Sequence, residues 1–418
     1  MTTRRQFLYG AAAMAAATGI PLQAIKAQES NNRKFIFVFN PGGWDPTRVL
    51  ATPFGNPNVA MEADSELSTI AGLPFVDHPL RPSVRSFFEL NADRSVIFNG
   101  MMVRSIAHDI CTMIALTGTS DGTSPDWPAV MAARQRESFT LPHLVIDGPS
   151  FPGDLGVAVA RTGTAGQLDL LTSGDALEWT DTPIRRLKHP SESLIDRYLQ
   201  RRSRARADSA RGSLDQSLSR DVQLSLEKAQ SLKDLRYSMN FNVGGELSDQ
   251  IDLAVAALAG GVSRCVSIAH TGGVGWDTHA NNDATQTVLW ESLFQGLALL
   301  MQQLDSTPGT SSPTLAEETT VVVISEMGRT PMLNGTIGKD HWPYTSALLI
   351  GAGLQGGRAI GGFDSSFYGD PVDPASGESS ASGQVLSAES LGATLLTMAD
   401  IDPDEYIAGV APITGILT

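Results

Sequence analysis

Cysteine is almost missing from this chain: Cys111 and Cys265 are the only two in 418 residues, and neither sits in a Cys-x-x-Cys pattern. A disulfide scaffold and a cysteine-based zinc site are therefore excluded, and at most one bridge is allowed. Histidine is scarce too, at seven. Chemistry that needs imidazole must be sought at few positions. Cations are outnumbered, 30 Lys and Arg against 45 Asp and Glu, for a formal charge of −15. That balance argues against nucleic acid as a partner, because affinity for a phosphate backbone rests on Lys and Arg. Aromatics make up only 6%, yet 42% apolar residues and 40 Gly form an ordinary globular composition. The length allows two or three domains, or one large sheet domain with insertions.

The first 27 residues read differently. Arg4-Arg5-Gln6-Phe7-Leu8 precedes an uncharged, Ala-rich run from Tyr9 to Ala24, and the segment closes on Lys26-Ala27. The run is too short and too Ala-rich for a spanning helix, and the arginine pair resembles a twin-arginine export signal. Residues 1–27 are expected to direct the protein to the periplasm or outside the cell, with no other membrane span. Removing them takes away three positive charges and leaves −18. Export of already folded protein suits a metal site assembled beforehand.

Four apolar runs suit strands buried on both faces, as in a parallel sheet covered by helices. They are Phe35–Phe39, Cys265–Ala269, Thr320–Ser325 and Ala347–Ile350, and each runs into Gly, Asp, Glu or His. Leu289, Leu293, Leu297 and Met301 recur at helical spacing between two of them. The reading is an α/β fold over 33–418: a mostly parallel central sheet flanked by helices, with ligands bound outside the carboxyl ends of the strands. Residues 185–220 hold ten of the thirty cations, and Leu214, Leu218, Val222 and Leu226 follow every four residues. A charged helical insertion at about 185–240 is expected, packed over or beside the sheet.

Two Asp/His pairs stand out: Asp277 and His279 in a Gly-flanked turn, and adjacent Asp340-His341 before a strand. Carboxylate with imidazole suits a divalent cation. Asp45 and Glu326 end strands in the same way, and all six residues are expected to converge as metal ligands or their supports. His78, His143 and His189 lie near prolines and read as structural or solvated, while His270 stays open. Gly118-Thr119-Ser120-Asp121-Gly122 satisfies a serine-hydrolase elbow, but a helix rather than a strand precedes it. Gly351-x-Gly353-x-x-Gly356 satisfies a dinucleotide fingerprint, but a turn and short strand follow it, not a helix. Both are set aside.

Gly275-Trp276-Asp277-Thr278-His279, Ser325-Glu326-Met327-Gly328-Arg329-Thr330-Pro331, Asp340-His341-Trp342-Pro343 and Gly351-Ala352-Gly353 together resemble the DUF1501 family of exported bacterial proteins. Upstream, Gly42-Gly43-Trp44-Asp45, Arg104-Ser105 and His108 extend the resemblance to roughly 33–405. That family looks like a branch of the alkaline phosphatase/sulfatase superfamily, whose members hold one or two divalent metals and hydrolyse phosphate or sulfate esters. The resemblance implies an alkaline-phosphatase-like fold and one or two ions, zinc first, with manganese, iron, calcium or magnesium as alternatives. It implies a small anionic ester as substrate. Asp45 matches a metal aspartate, Asp277 and His279 a ligand pair with shortened spacing, and His341 the last metal histidine. Glu326 matches an aspartate normally followed by histidine; here Met327 follows, which leaves Asp340 or His108 to fill the gap. His108 occupies the place of the Ser, Thr or Cys nucleophile, as ligand, as acid/base or nucleophile, or in a structural role. Ser105 would serve instead if it capped an earlier helix start. Arg329 is expected to lend charge to the substrate. The leading expectation is an exported metal-dependent ester hydrolase. The alternative is a non-catalytic exported metal-binding or assembly protein that keeps the fold without the hydroxyl nucleophile.

Overall fold

Phe35, Phe37 and Phe39 point into one apolar layer and Ile36 and Val38 into another, all of them buried. That two-sided burial is why the run shows no polar alternation. The strand is β1 (Lys34–Phe39) of a computed structural model, which describes residues 32–162, 189–235, 241, 243 and 245–418. The export segment 1–27 lies outside the described residues. So do 185–188 and 236–240 at the two ends of the expected insertion.

Seven further strands complete the main sheet: β2 (Ser95–Met102), β3 (His143–Val145), β4 (Val159–Arg161), β5 (Cys265–Ala269), β6 (Thr319–Ile324), β7 (Tyr344–Gly351) and β8 (Arg358–Gly361). Their order is β8-β2-β7-β6-β1-β5-β3-β4. Every pairing is parallel except those of β7 with β2 and with β6. The sheet is thus mostly parallel, with one reversed strand. That reversal corrects one expectation: the Gly351-Ala352-Gly353 turn lies at the edge opposite the carboxyl ends of the other strands. It is instead the entry of β7, just after His341, that meets them.

On one face, α1 (Pro82–Asn91), α6 (Leu247–Ala259) and α7 (Asn282–Ser306) pack Phe87, Phe88, Leu258, Leu293 and Leu297 against Ile36, Val266 and Val321. On the other, α3 (Trp127–Arg134) and α8 (Ala388–Met398) pack Val130, Met131, Leu391 and Leu395 against the β1 phenylalanines. Each fully buried ring or branched chain contributes about 1.5–3 kcal/mol relative to exposure. The helix α2 (His108–Thr117) starts at the carboxyl edge and ends on Gly118, which adopts the left-handed conformation that closes a helix without strain.

The insertion is a hairpin of α4 (His189–Ser209) and α5 (Ser213–Leu235). It sits beside the sheet rather than over it: Leu232 joins the core, and Arg136 pairs with Asp221 at 2.9 Å. The helical row of Leu214, Leu218 and Val222 is exposed, not packed. Among the described residues, no helix is long and apolar enough to cross a membrane.

Candidate functional site

Neighbouring strands β1 and β5 both lead into the tripeptide Gly-Trp-Asp, at 43–45 and 275–277. The two indoles are buried and meet edge to face, with centroids 6.2 Å apart. Gly42 has φ 118°, and a Cβ there would lie 2.7 Å from the Asp277 nitrogen, so only glycine lets the turns approach this closely. The Gly42 N–H donates to Glu326 Oε1 at 2.7 Å.

Around Asp277 the structure gathers three histidines. His108 Nε2 lies 3.4 Å from Asp277 Oδ2, His279 Nε2 3.1 Å and His341 Nε2 3.2 Å from Oδ1, and the last two nitrogens are 3.0 Å apart. His108, Asp277 and His341 each offer a ligand atom within 4.8 Å of the others. Every Nδ1 is held from behind. His108 Nδ1 donates to Glu326 Oε1 at 2.8 Å, His279 Nδ1 to Asp340 Oδ1 at 2.8 Å, and His341 Nδ1 to the Ile106 carbonyl at 2.7 Å. These acceptors place the proton of each neutral ring on Nδ1 and leave a lone pair on Nε2. Lone pairs that close to one another and to a carboxylate repel unless positive charge sits among them. The donor set and second layer are those of histidine metal sites. The 3.0–3.4 Å contacts also approach the ~3.3 Å edge that ligand bonds of about 2.0–2.1 Å span around a tetrahedral ion.

Electrostatics follow the same plan. The Glu326 hydrogen bond raises the His108 pKa above its usual value against burial, and the charges of Glu326 and Asp277 add to it. Burial pushes the Asp277 carboxyl up, but the hydrogen bond and charge of Arg329, with His341, bring it below its usual value. The hydrogen bond from His279 likewise lowers Asp340.

The six expected ligands thus separate into three groups. Asp277, His279 and His341 form the cluster with His108. Glu326 and Asp340 stand behind it and orient imidazoles; Glu326 is buried and also accepts the Ser325 hydroxyl, and Asp340 accepts Asn334 Nδ2. Asp45 is not brought in. Both its oxygens are taken: Oδ1 by the Thr47 amide and hydroxyl, Oδ2 by Asn282 at 2.9 Å, Lys339 at 2.8 Å and Arg48 at 3.3 Å. Burial would raise the Asp45 pKa, yet Lys339 and Arg48 hold it well below the carboxylate range.

The expected catalytic residues also need correction. Arg329, expected to lend charge to the substrate, is fully buried and committed to protein acceptors. Its guanidinium donates to the Gly42, Gly43 and Lys339 carbonyls and to Asp277 Oδ1 at 2.6 Å, so it ties both Gly-Trp-Asp turns together. Ser105 does not cap α2: the N-cap is Ala107, and the Ser105 hydroxyl accepts the Ala107 N–H at 3.2 Å. Met327, in place of the expected second ligand, is buried with Val103, Cys111 and Ile114 under α2.

Sequence reasoning missed Lys339, Asn282 and Arg48, which neutralise or hold Asp45, and Asn334, whose amide holds the His279 carbonyl and Asp340. Lys339 had a signal, since it directly precedes Asp340-His341. Nothing local marks the others.

The family model described as "Protein of unknown function (DUF1501)" matches residues 89–411. No curated protein matches the sequence. Among solved structures, the chain is similar to the lipoteichoic acid synthase LtaP from Listeria monocytogenes, at 8% identity and a TM-score of 0.42, over 93% of this chain and 77% of that one. It is similar to the PsFucS1 sulfatase from Pseudoalteromonas sp., at 9% and 0.39, over 100% and 77%. The phosphonate monoester hydrolase from Silicibacter pomeroyi gives 13% and 0.39, over 91% and 77%.

Proposed function

Starting from the fact that this chain belongs to the DUF1501 family, we infer that it is an exported protein that uses a divalent metal to hydrolyse a phosphate or sulfate ester. One observation carries the reading: three imidazoles, each with Nδ1 held by an acceptor, turn their Nε2 atoms onto one carboxylate. His108, Asp277, His279 and His341 would hold the ion, zinc first by their chemistry. When bound, it supplies positive charge where negative charge develops on the ester oxygens.

The chain's own groups complete the site. Glu326 keeps the His108 proton on Nδ1, Asp340 does so for His279, and Arg329 holds Asp277 against the turn. The first turn of α2 opens onto the cluster without a side-chain cap, and its free N–H groups favour an anion. A second reading, non-catalytic metal binding or assembly, is favoured by the lack of a hydroxyl where α2 begins: that place belongs to His108.

The test is metal analysis of purified protein followed by a panel of aryl phosphates and sulfates. About one equivalent of zinc with hydrolysis supports the enzyme; zinc without turnover supports the second reading; a protein that retains no divalent ion overturns both. Export rests on Arg4 and Arg5. Replacing both by Lys should leave the protein in the cytoplasm, and an unchanged periplasmic yield would refute the signal.

A further inference from the structure

Large apolar side chains are not scattered over this surface. Of the eighteen that are exposed among the described residues, seven lie on the α4–α5 hairpin and six on or against the loops that build the cluster. The six are Ile106, Val274, Met332, Leu333, Ile337 and Tyr368. Each is tied to a site residue. The Ile106 carbonyl accepts from His341, and Val274 precedes Asp277 by three residues. Met332 and Leu333 lie between Thr330 and Asn334, both of which bond Asp340. Ile337 bridges Ala280 beside His279, and Tyr368 stacks on Trp342 beside His341 with centroids 5.5 Å apart.

Ile337 is the most telling. Its φ is 53°, a left-handed conformation that a β-branched residue adopts only under strain. Asn334 Oδ1 enforces it by accepting the N–H groups of Thr336 and Gly338. Glycine would be relaxed there. The chain instead holds an isoleucine, 60% exposed, beside a charged cluster. Exposed apolar side chains on and against the loops that carry a polar centre fit a molecule built the same way, with these side chains as the rim of the site.

We propose that the substrate is an anionic ester whose alcohol part is apolar, an alkyl or aryl group, with the charged head at the cluster and the apolar part on this rim. The proposal rests on the ester reading above and names which esters it concerns. The test is calorimetric binding to zinc-loaded protein of inorganic phosphate and of methyl, butyl and octyl phosphate below micellar concentrations. Affinity should rise about twofold per added methylene, roughly half the gain of full burial, and so about 100-fold from methyl to octyl. Ile337→Gly and Leu333→Ser should each cut that ratio several-fold and leave inorganic phosphate unchanged, with the melting temperature of Ile337→Gly equal or higher. Binding that is flat along the series, with phosphate still bound, overturns the apolar rim alone. Failure of phosphate and every ester to bind overturns the ester reading and this inference with it. Tighter binding to phosphatidic acid vesicles than to octyl phosphate monomers assigns the apolar part to a bilayer lipid, and the reverse assigns it to a free ester.

Discussion

The two Gly-Trp-Asp turns make a controlled comparison within one molecule. Both follow parallel strands, and both tryptophans are buried against each other. Yet Asp45 meets Lys339, Arg48, Asn282 and Thr47 in a closed knot, while Asp277 meets three imidazoles and one arginine at a half-open surface. The first carboxylate is already neutralised by fixed cations. The second is surrounded mainly by lone pairs, and so leaves room for a mobile cation. Identical local sequence therefore makes a structural clamp in one place and a candidate ligand in the other, and the partners decide which.

The sharpest way to break this comparison is to neutralise each aspartate. Asp45→Asn leaves buried Lys339 without its carboxylate, while Arg48 keeps Asp283 at 2.7 Å, and should cost about 3–5 kcal/mol in denaturant unfolding. Asp277→Asn removes the carboxylate partner of buried Arg329 but leaves that guanidinium on backbone carbonyls, and should cost less, about 1–2 kcal/mol, while abolishing zinc retention. Equal stability losses would erase the distinction.

Next in size are the groups behind the histidines. Glu326→Gln should weaken zinc affinity about 10–100-fold in competition with a chromophoric chelator. Asp340→Asn should sit at or below the lower end of that range, because Asp340 is solvent-exposed and Asn334 also braces the loop. No change with Glu326→Gln would remove His108 from the donor set.

The smallest effect is on acid stability. The folded Asp45 pKa lies below the ordinary value near 3.9, so the unfolded chain takes up its proton first as pH falls. Its contribution is complete at neutral pH and is lost as pH drops below about 4. The stability gap between wild type and Asp45→Asn should narrow over that range in urea titrations. Asp277 is shifted in the same direction, but solvent screening should make its narrowing smaller. A gap that widened with acid would reverse the sign argued here.

Four strands were legible because burial on both faces leaves an unbroken apolar run, as in β1 and β6. The strand β2 was not, because Asn99 and Gly100 interrupt it: Asn99 bonds Ser346, and a Cβ on Gly100 would strike the Gly362 carbonyl. Three-residue β3 and β4 carry too little text to read. The convergence of Asp277, His279 and His341 was legible as paired acid and imidazole at strand ends. That Asp45 turns inward was not, since Lys339 and Arg48 reach it through a tertiary arrangement that no local spacing encodes. The same holds for Arg329, whose partners are carbonyls contributed by the loops at Gly42, Trp276 and Lys339.

The reversed strand β7 has a mechanical consequence. It delivers His341 at its entry and is clamped by β2 from Tyr344 to Ile350 and by β6 from Leu348 to Gly351. A slip of one residue would carry His341 about 3.3–3.4 Å along the strand and turn alternate side chains to the wrong face. That travel exceeds the 3.0 Å between the Nε2 atoms of His341 and His279. The four donors can therefore meet only when the central strands have locked in register, so their meeting marks a finished sheet.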